Sequence, residues 1–346
     1  MSNPIKTSAI SVISFAKEKL AAYKLNPNEK FIKYGCDNKF PIQLLEMYNS
    51  IPEHNSAIGF TENNIIGEGI SSPELDYWDV KKVIGDFLIF GGYTIQVIKN
   101  RNSSSTYKYV DFNKCRISSD QKQIGYSDNW LEYKPEIKWY PISENKDTAG
   151  IYMYKNTKSR EAYPTPQYMS SFLSLDTMTG IMEYHNNNAR NGFTPNVLIN
   201  FNDGVPDVAT QRAIEQGLTD KFTGASGKRF ILSFNDSDAT KTTVEKLEND
   251  NLDQKFEQLQ KFIQNQIIVA HKLTSGTLIG IKPENQGFSK TEYEESLDIF
   301  KTTVINPFRK ELEYSFKVLT GVDIKFIDIE QAVTTVNDTT NQGGQA

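Results

Sequence analysis

The pattern of apolar and polar residues changes its period several times along the 346-residue chain. Apolar residues recur at helical spacing in residues 40–66 and 79–90, so we predict two helices in the first range and one in the second. From residue 91 the period becomes two. Residues 91–100 and 106–118 alternate around a polar linker, which predicts a β-hairpin. Further short runs of this kind make residues 91–155 mostly β.

The second half of the chain returns to helical spacing. A Pro-rich stretch precedes a predicted helix at about 166–190, and residues 196–234 read as a small strand–helix–strand unit. The two strongest helical patterns are residues 251–271 and 290–319. Ser289 and Glu292 form a capping box at the start of the second, Pro307 predicts a kink inside it, and Gly321 ends it. We predict a last strand at 323–329.

Composition and charge narrow the class of protein. Charged residues make up 23% of the chain and the net charge is -5, with no like-charged block that would bind nucleic acid by itself. Residues 1–25 lack the features of a signal peptide, so we expect Cys36 and Cys115 to be reduced. No apolar run is long enough to predict a membrane span. The three histidines lie far apart in sequence, which argues against a zinc site.

A search for catalytic motifs finds none that predicts a reaction. Residues 224–229 partly match a phosphate-binding loop, but the first glycine is missing and Arg229 stands where a Ser or Thr would hold magnesium. No carboxylate stands in an apolar stretch that predicts a raised pKa. We therefore predict no enzyme activity, no cofactor and no metal, and favour a structural or binding protein.

The order of several weak motifs resembles the portal (head–tail connector) proteins of tailed bacteriophages. The motifs cover roughly residues 30–330 and are, in chain order, Pro164 and Pro166 before a helix, Asn191 and Gly192 before a strand, Leu278 and Gly280 before a loop, and Asn306 and Pro307 within a helix. Asn and Gly both tolerate positive φ, which suits an abrupt corner from helix to strand.

The resemblance implies an α+β portal fold. It has a β-rich and helical wing, a stem of two helices, a small mixed α/β clip, a long kinked wing helix and little or no crown. The corresponding ranges are 1–30 for an N-terminal arm, 31–165 for the wing, 166–194 for the first stem helix, 195–235 for the clip, 236–273 for a loop and the second stem helix, 274–289 for the tunnel loop, 290–330 for the long wing helix and terminal strand, and 331–346 for a disordered tail.

The resemblance also implies a function and its partners. Portal proteins are rings, usually dodecameric, at one capsid vertex, through which double-stranded genome DNA is packaged and ejected without sequence specificity. Implied partners are a terminase, a head–tail adaptor and the major capsid protein, with assembly in the bacterial cytoplasm, a place in the virion and no membrane. Two alternatives stay open: a monomeric α+β hydrolase, and a helical adaptor or scaffold protein.

The implied site residues fall into four groups. They are Lys282, Asn285, Gln286 and Lys290 for the tunnel loop in the DNA channel, Lys221, Lys228 and Arg229 for the docking surface of the clip, Asn191 and Gly192 for the corner between stem and clip, and Pro307 for the kink of the wing helix.

Overall fold

The computed structural model describes residues 29–35, 37–102, 104–157, 162–190, 197–201, 206–222, 230–234, 252–281 and 289–328. By its contacts the chain divides into two compact units, a larger unit of Met1–Ser170 with Ile268–Ala346 and a smaller unit of Ser171–Ile267. The predicted arm up to residue 28, Cys36 and the predicted tail lie outside the described residues.

Three helices open the described part of the larger unit: α1 (Phe40–Ser50), α2 (Pro52–Ile66) and α3 (Tyr77–Phe90). The carboxylate of Asp76 begins α3 by accepting the backbone N–H groups of Trp78 and Asp79 at 2.9 and 3.2 Å. Gly91 ends it with φ 82°, and a Cβ there would stand 2.4 Å from the carbonyl oxygen of Thr165. Glycine is therefore required at this corner.

Six strands follow and form two antiparallel sheets. They are β2 (Gly92–Lys99), β3 (Ser105–Val110), β4 (Cys115–Ile117), β5 (Gln123–Tyr126), β6 (Lys138–Pro141) and β7 (Gly150–Lys155), after the short β1 (Gly69–Ile70). The sheets have the orders β3-β2-β7 and β4-β5-β6. Val97 of β2 lies opposite Tyr107 and Gly150, which confirms the predicted hairpin.

The predicted strand at 106–118 is wrong in one respect, because it is two strands in two sheets. A 3₁₀ turn at Phe112–Lys114 separates β3 from β4. The carboxylate of Asp111 accepts the backbone N–H of Asn113 at 3.0 Å, so a side chain replaces the strand partner at this point. The sequence pattern does not distinguish the four-residue strand β5, which pairs between β4 and β6.

The C-terminal part of the larger unit is mostly helical. A 3₁₀ turn (Gly276–Ile279) precedes α7 (Lys290–Phe300), a π-helical turn (Lys301–Ile305) and α8 (Asn306–Thr320). Gly321 ends α8 with φ 74°, as predicted. The predicted terminal strand is shorter than expected: only β10 (Phe326–Ile327) pairs, antiparallel to β1. The hydroxyl of Ser71 accepts a hydrogen bond from the backbone N–H of Lys325, just before β10.

The core of the larger unit packs α2, α3 and α8 against the first sheet. Phe87 of α3 meets Phe308 of α8 edge to face at 5.7 Å, and Tyr93 of β2 meets Phe316 at 5.9 Å between ring centroids. Burying each such ring stabilises the fold by roughly 1.5–3 kcal/mol. Arg309 donates to the Ile65 carbonyl at 2.9 Å and so caps the C-terminus of α2 from α8.

The smaller unit contains, in chain order, α4 (Phe172–Arg190), β8 (Val197–Phe201), α5 (Val208–Phe222), β9 (Phe230–Phe234) and most of α6 (Leu252–Ala270). The predicted strand–helix–strand is confirmed, with β8 and β9 parallel. Phe256 of α6 contacts Tyr184 and His185 of α4 at 5.1 and 5.5 Å between ring centroids. A 3₁₀ turn at Met169–Ser171 delays the start of α4 from the predicted residue 166.

Candidate channel loop and docking surfaces

The segment predicted as the tunnel loop begins in an ordered turn. The hydroxyl of Ser275 accepts the Thr277 N–H at 3.2 Å, and the hydroxyl of Thr274 donates to the Ser296 carbonyl of α7 at 2.7 Å. Leu278 is buried in the core of the larger unit, and Gly280 ends the turn with φ 86°. The first half of this loop is therefore fixed to the larger unit. Three of its predicted site residues, Lys282, Asn285 and Gln286, lie outside the described residues.

The fourth predicted channel residue, Lys290, opens α7. The hydroxyl of Ser289 caps the helix by accepting the Glu292 N–H at 3.3 Å, as the sequence predicts. The Lys290 side chain is 83% exposed, and its Nζ lies 3.5 Å from Oε1 of Glu294. An exposed pair of this kind contributes little stability, so the ammonium group can leave Glu294 for another anion.

The structure does not describe the side chains of the residues that are predicted for the clip and the corner. Lys221 belongs to the last turn of α5, where the structure describes the backbone. Lys228 and Arg229 precede β9, and Asn191 and Gly192 follow α4, outside the described residues. Their roles stay predictions.

Pro307 stands in the first turn of α8, directly after the π-helical turn. The Asn306 N–H reaches five residues back to the Lys301 carbonyl, which widens the turn before the proline. A proline has no N–H and its ring clashes with the carbonyl four residues earlier in a regular helix. The wide turn removes that conflict. Whether the helix also kinks here stays a prediction.

Among the exposed large apolar side chains of the described residues, those on α6 and α8 include pairs that lie three or four positions apart on one helix. On α6, Leu259 and Phe262 are 37% and 57% exposed. On α8, Tyr314 and Val318 lie one turn apart and are 69% and 41% exposed. Neighbouring exposed apolar side chains are typical of a surface that another molecule covers.

The structure brings together two histidines that no sequence pattern pairs. Nδ1 of His54 and Nε2 of His271 are 2.8 Å apart. Burial lowers the pKa of His271 to about 4, and burial together with His271 lowers the pKa of His54 well below its usual range. Because 217 positions separate the two residues, no local spacing could have indicated this contact.

Asp86 contradicts the expectation that no carboxylate has a raised pKa. It lies on α3, buried against the turn that separates β3 from β4, and its Oδ2 accepts the Phe112 N–H at 3.1 Å. Burial, and then the nearby carboxylate of Asp111, raise its pKa well above the usual range. The sequence does carry a signal for this environment, because apolar residues flank Asp86 on both sides within residues 83–90. The turn contact gives Asp86 a structural role.

Other chemical features of the described part are few. Within the described ranges, no group of three or more His, Cys, Asp or Glu side chains is placed to hold a metal ion. Cys115 is a buried free thiol whose pKa burial raises to about 12. None of the helices in the described part is long and apolar enough to span a membrane.

Several solved structures align with this chain at low sequence identity. A chain in the virion of a native gene transfer agent (GTA) particle aligns over 82% of both chains, with a TM-score of 0.51 and 12% identity. A chain in the neck of a native GTA particle, computed with C12 symmetry, aligns over 82% of both with a TM-score of 0.52 and 11% identity. An HK97-family phage portal protein from Corynebacterium diphtheriae aligns over 82% of this chain and 94% of its own, with a TM-score of 0.46 and 10% identity.

No family profile matches the sequence, and a search of curated proteins finds no relative. At 11–12% identity the likeness to the GTA chains shows the fold alone. The α+β fold class predicted from the sequence is confirmed. The chain has the fold of a chain that occurs in the virion and neck of the GTA particle.

Proposed function

We propose that the protein is a portal protein that forms a ring at one capsid vertex of a phage-like virion. The proposal rests on the fold that this protein shares with a chain in the neck of the native GTA particle. Because that neck was computed with C12 symmetry, we propose a dodecamer. The major capsid protein would surround the ring. A separate terminase would supply the energy for packaging, and a head–tail adaptor would bind after packaging in the bacterial cytoplasm.

The exposed apolar side chains support assembly into a ring. Phe262 on α6 and Tyr314 on α8 leave more than half of their surface to solvent. In a closed ring each subunit makes the same heterologous contact with the next, so one pair of complementary faces covers such side chains in every copy. We propose that the Tyr314–Val318 face of α8 is part of this contact.

The purified full-length protein tests the assembly. We expect native mass spectrometry to give twelve subunits, the number suggested by the C12 neck, and negative-stain images to show a ring with a central hole. Tyr314→Glu together with Val318→Glu should shift the protein to monomers with unchanged circular dichroism. Trp78→Glu is the matched control, because Trp78 is 64% exposed on α3, outside that face. Wild-type monomers at every salt and protein concentration would contradict the ring.

The tunnel loop would line the DNA channel. Lys290 is exposed and paired with Glu294 across 3.5 Å, and Lys282, Asn285 and Gln286 supply further groups that suit phosphate oxygens rather than base edges. A channel that lets DNA slide should make few phosphate contacts in each subunit, because every neutralised phosphate strengthens the hold on DNA. Lys290 fits that requirement, because its ammonium group is already paired with the carboxylate of Glu294 and would hold a phosphate only weakly.

The clip would be the docking surface for the terminase and later for the adaptor. Its two strands form a two-stranded parallel sheet among the described residues, and such a small sheet is marginally stable without further packing. A docked protein can supply that packing, and Lys221, Lys228 and Arg229 would provide the charge.

Reversing two of these charges tests the clip. Lys228→Glu with Arg229→Glu should leave rings intact and abolish packaging of DNA into procapsids. Lys310→Glu, at an exposed cation on α8, controls for a charge reversal outside the clip. Normal packaging by the clip double variant would remove the clip cations from the proposal without touching the ring.

A further inference from the structure

Both connections between the two units lie beside one cluster of aromatic side chains in the larger unit. The chain leaves the larger unit after Ser170 and returns to it at Ile268. Tyr168 stands just before the first crossing, and His271 just after the second. Both rings contact His54 in the first turn of α2, with centroid distances of 4.5 and 4.9 Å. Tyr168 and His271 also stack on each other at 5.2 Å.

A hydrogen bond between imidazoles closes the cluster. Nδ1 of His54 and Nε2 of His271 are 2.8 Å apart, so one must donate and the other accept. If both rings carried a second proton, two N–H groups would face each other and the hydrogen bond would break. We propose that His54, Tyr168 and His271 form a clasp that holds both connections to α2 while the imidazoles are neutral, and that opens when they are protonated.

The surroundings of the clasp favour neutral rings. His54 is fully buried, and its Nε2 has no hydrogen-bond partner among the described residues. His271 lines a cleft together with Thr61 of α2, through which protons can reach it. Phe87 of α3 and Phe308 of α8 also line the cleft. Neither side chain carries a negative charge that could stabilise an imidazolium.

The charged groups next to the clasp are few. Glu53 precedes His54 in the chain, and Lys272 follows His271. Nζ of Lys272 donates to Oε1 of Gln167 at 3.2 Å, which links the two connections a second time. The Tyr168 hydroxyl donates to the Ile89 carbonyl at 2.8 Å and is thereby directed away from the imidazoles. Burial opposes an imidazolium on either ring, and at His54 the neighbouring His271 adds to this penalty on protonation.

The sign of the pH effect follows from the lowered pKa values. Burial holds the pKa of His271 at about 4, below its ordinary value of 6.5, and lowers that of His54 as well. The open clasp therefore binds more protons than the closed one below pH 6.5. Each imidazole should make opening easier by up to ~10-fold for each pH unit from 6.5 down to its pKa in the closed clasp.

Hydrogen exchange of the full-length protein tests the clasp. The N–H groups of Lys272 and Leu273 donate to the carbonyls of Val269 and Ile268 at 3.0 Å each, so they report opening beside His271. With intrinsic rates subtracted, the logarithm of the opening constant should rise by about two for each pH unit below 6.5 in the wild type. It should rise by about one in His271→Gln, which keeps a donor and an acceptor but does not titrate.

Two comparisons make the result decisive. His185→Gln, at an exposed position on α4, removes a histidine outside the clasp and should keep the wild-type slope. Amides of β2 report global unfolding and should keep their protection over the same range. Equal slopes in wild type and His271→Gln, or the same slope in β2, would overturn the proposal. If His271→Gln does not fold, the wild-type difference between Leu273 and β2 decides alone. This proposal does not depend on ring assembly.

Discussion

Single buried groups determine how this protein responds to pH. Asp86 has its pKa raised by burial and by Asp111, so the fold binds its proton more tightly than the unfolded chain does. The stabilisation that this carboxyl supplies is complete below its unfolded pKa and is lost as pH rises through the folded value. The two clasp histidines have lowered pKa values and act in the opposite direction. Between the unfolded pKa values of Asp and His the two effects oppose each other: as pH falls, the contribution of Asp86 grows while that of the two histidines is lost.

Asp86→Asn should stabilise the protein at neutral pH. In the wild type the Phe112 nitrogen lies 3.1 Å from Oδ2 of Asp86, and the amide oxygen of asparagine can accept the same N–H. Unlike the buried carboxyl group, the amide does not have to bind a proton when the protein folds. We expect no change in the free energy of unfolding near pH 4 and a gain of about 1–2 kcal/mol at pH 7, measured by urea unfolding at a fixed protein concentration. Asp298→Asn, on the exposed face of α7, is the control. A loss at pH 7 would show that the carboxylate itself is needed.

Arg116 is a buried cation with carbonyl and aromatic partners. It donates to Oδ1 of Asn38 at 2.6 Å and to the carbonyls of Asn113 and Cys115 at 2.8 Å each, and its guanidinium lies 5.3 Å from the ring of Trp130. These contacts attach the segment before α1 to β4. The planar fork, rather than the charge alone, satisfies so many acceptors.

Arg116→Lys should therefore destabilise the protein more than Arg116→Met. Lysine keeps a buried charge but cannot reach all of these acceptors, which should cost about 3–5 kcal/mol. Methionine leaves the acceptors unpaired but removes the charge, so the loss should be nearer to about 2–3 kcal/mol. Urea unfolding of both variants measures the order. A lysine variant as stable as the wild type would mean that water or another group replaces the fork.

At the scale of the element, the buried residues of α7 and α8 explain why a π-helical turn joins the two helices. Buried residues recur every four positions at Phe300, Val304, Phe308, Leu312 and Phe316. In a regular α-helix each step of four rotates the side chain by ~40°, so the row would leave the core within a few turns. The wide turn at Lys301–Ile305 takes up part of this rotation. The sequence pattern predicts one kinked helix here, and the structure has two α-helices joined by the π-helical turn.

Removing the extra residue tests this explanation. Deleting Thr303, which is exposed, should regularise the turn and cost ~3 kcal/mol, because the Pro307 ring would then meet the carbonyl four residues earlier. Adding Pro307→Ala should recover most of that loss, as measured by urea unfolding. Deleting the exposed Lys310 in the same Pro307→Ala background is the control, and it should be worse because it rotates the buried face of α8. Equal losses for the two deletions would contradict the explanation.

The sequence predicted elements well where the apolar period was long and local. The hairpin of β2 and β3, the capping of α7 by Ser289 and the strand–helix–strand of the smaller unit all follow from short-range patterns. The sequence-based prediction failed where a single side chain determines the end of a strand, as at Asp111, whose carboxylate ends β3. It also failed where distant segments meet, as in the His54–His271 contact. Such contacts leave no periodic signal.

At the scale of the whole molecule, the fold separates a large packed unit from a small one that carries the proposed clip. Both connections between them start from residues that α2 and the clasp hold in place. The tunnel loop also starts from that region, through the buried Leu278. If the ring assembles as proposed, forces on the loop from moving DNA would be transmitted to a packed core rather than to a free linker.

That arrangement predicts how the loop acts on DNA. Lys282→Ala with Lys290→Ala should weaken DNA retention in filled heads and make it less dependent on salt, with the slope of log retention against log salt falling by about 0.9 for each phosphate that the ring no longer neutralises. Ring assembly should not change, because Lys290 contacts only an exposed Glu294 within the described residues. Genome length and DNA release across a salt series measure the effect. Lys310→Ala removes one exposed cation from α8 and should behave as wild type. If the double variant and a deletion of residues 282–287 both retain DNA normally, the loop is a linker, and the DNA-facing surface must lie on another part of the ring.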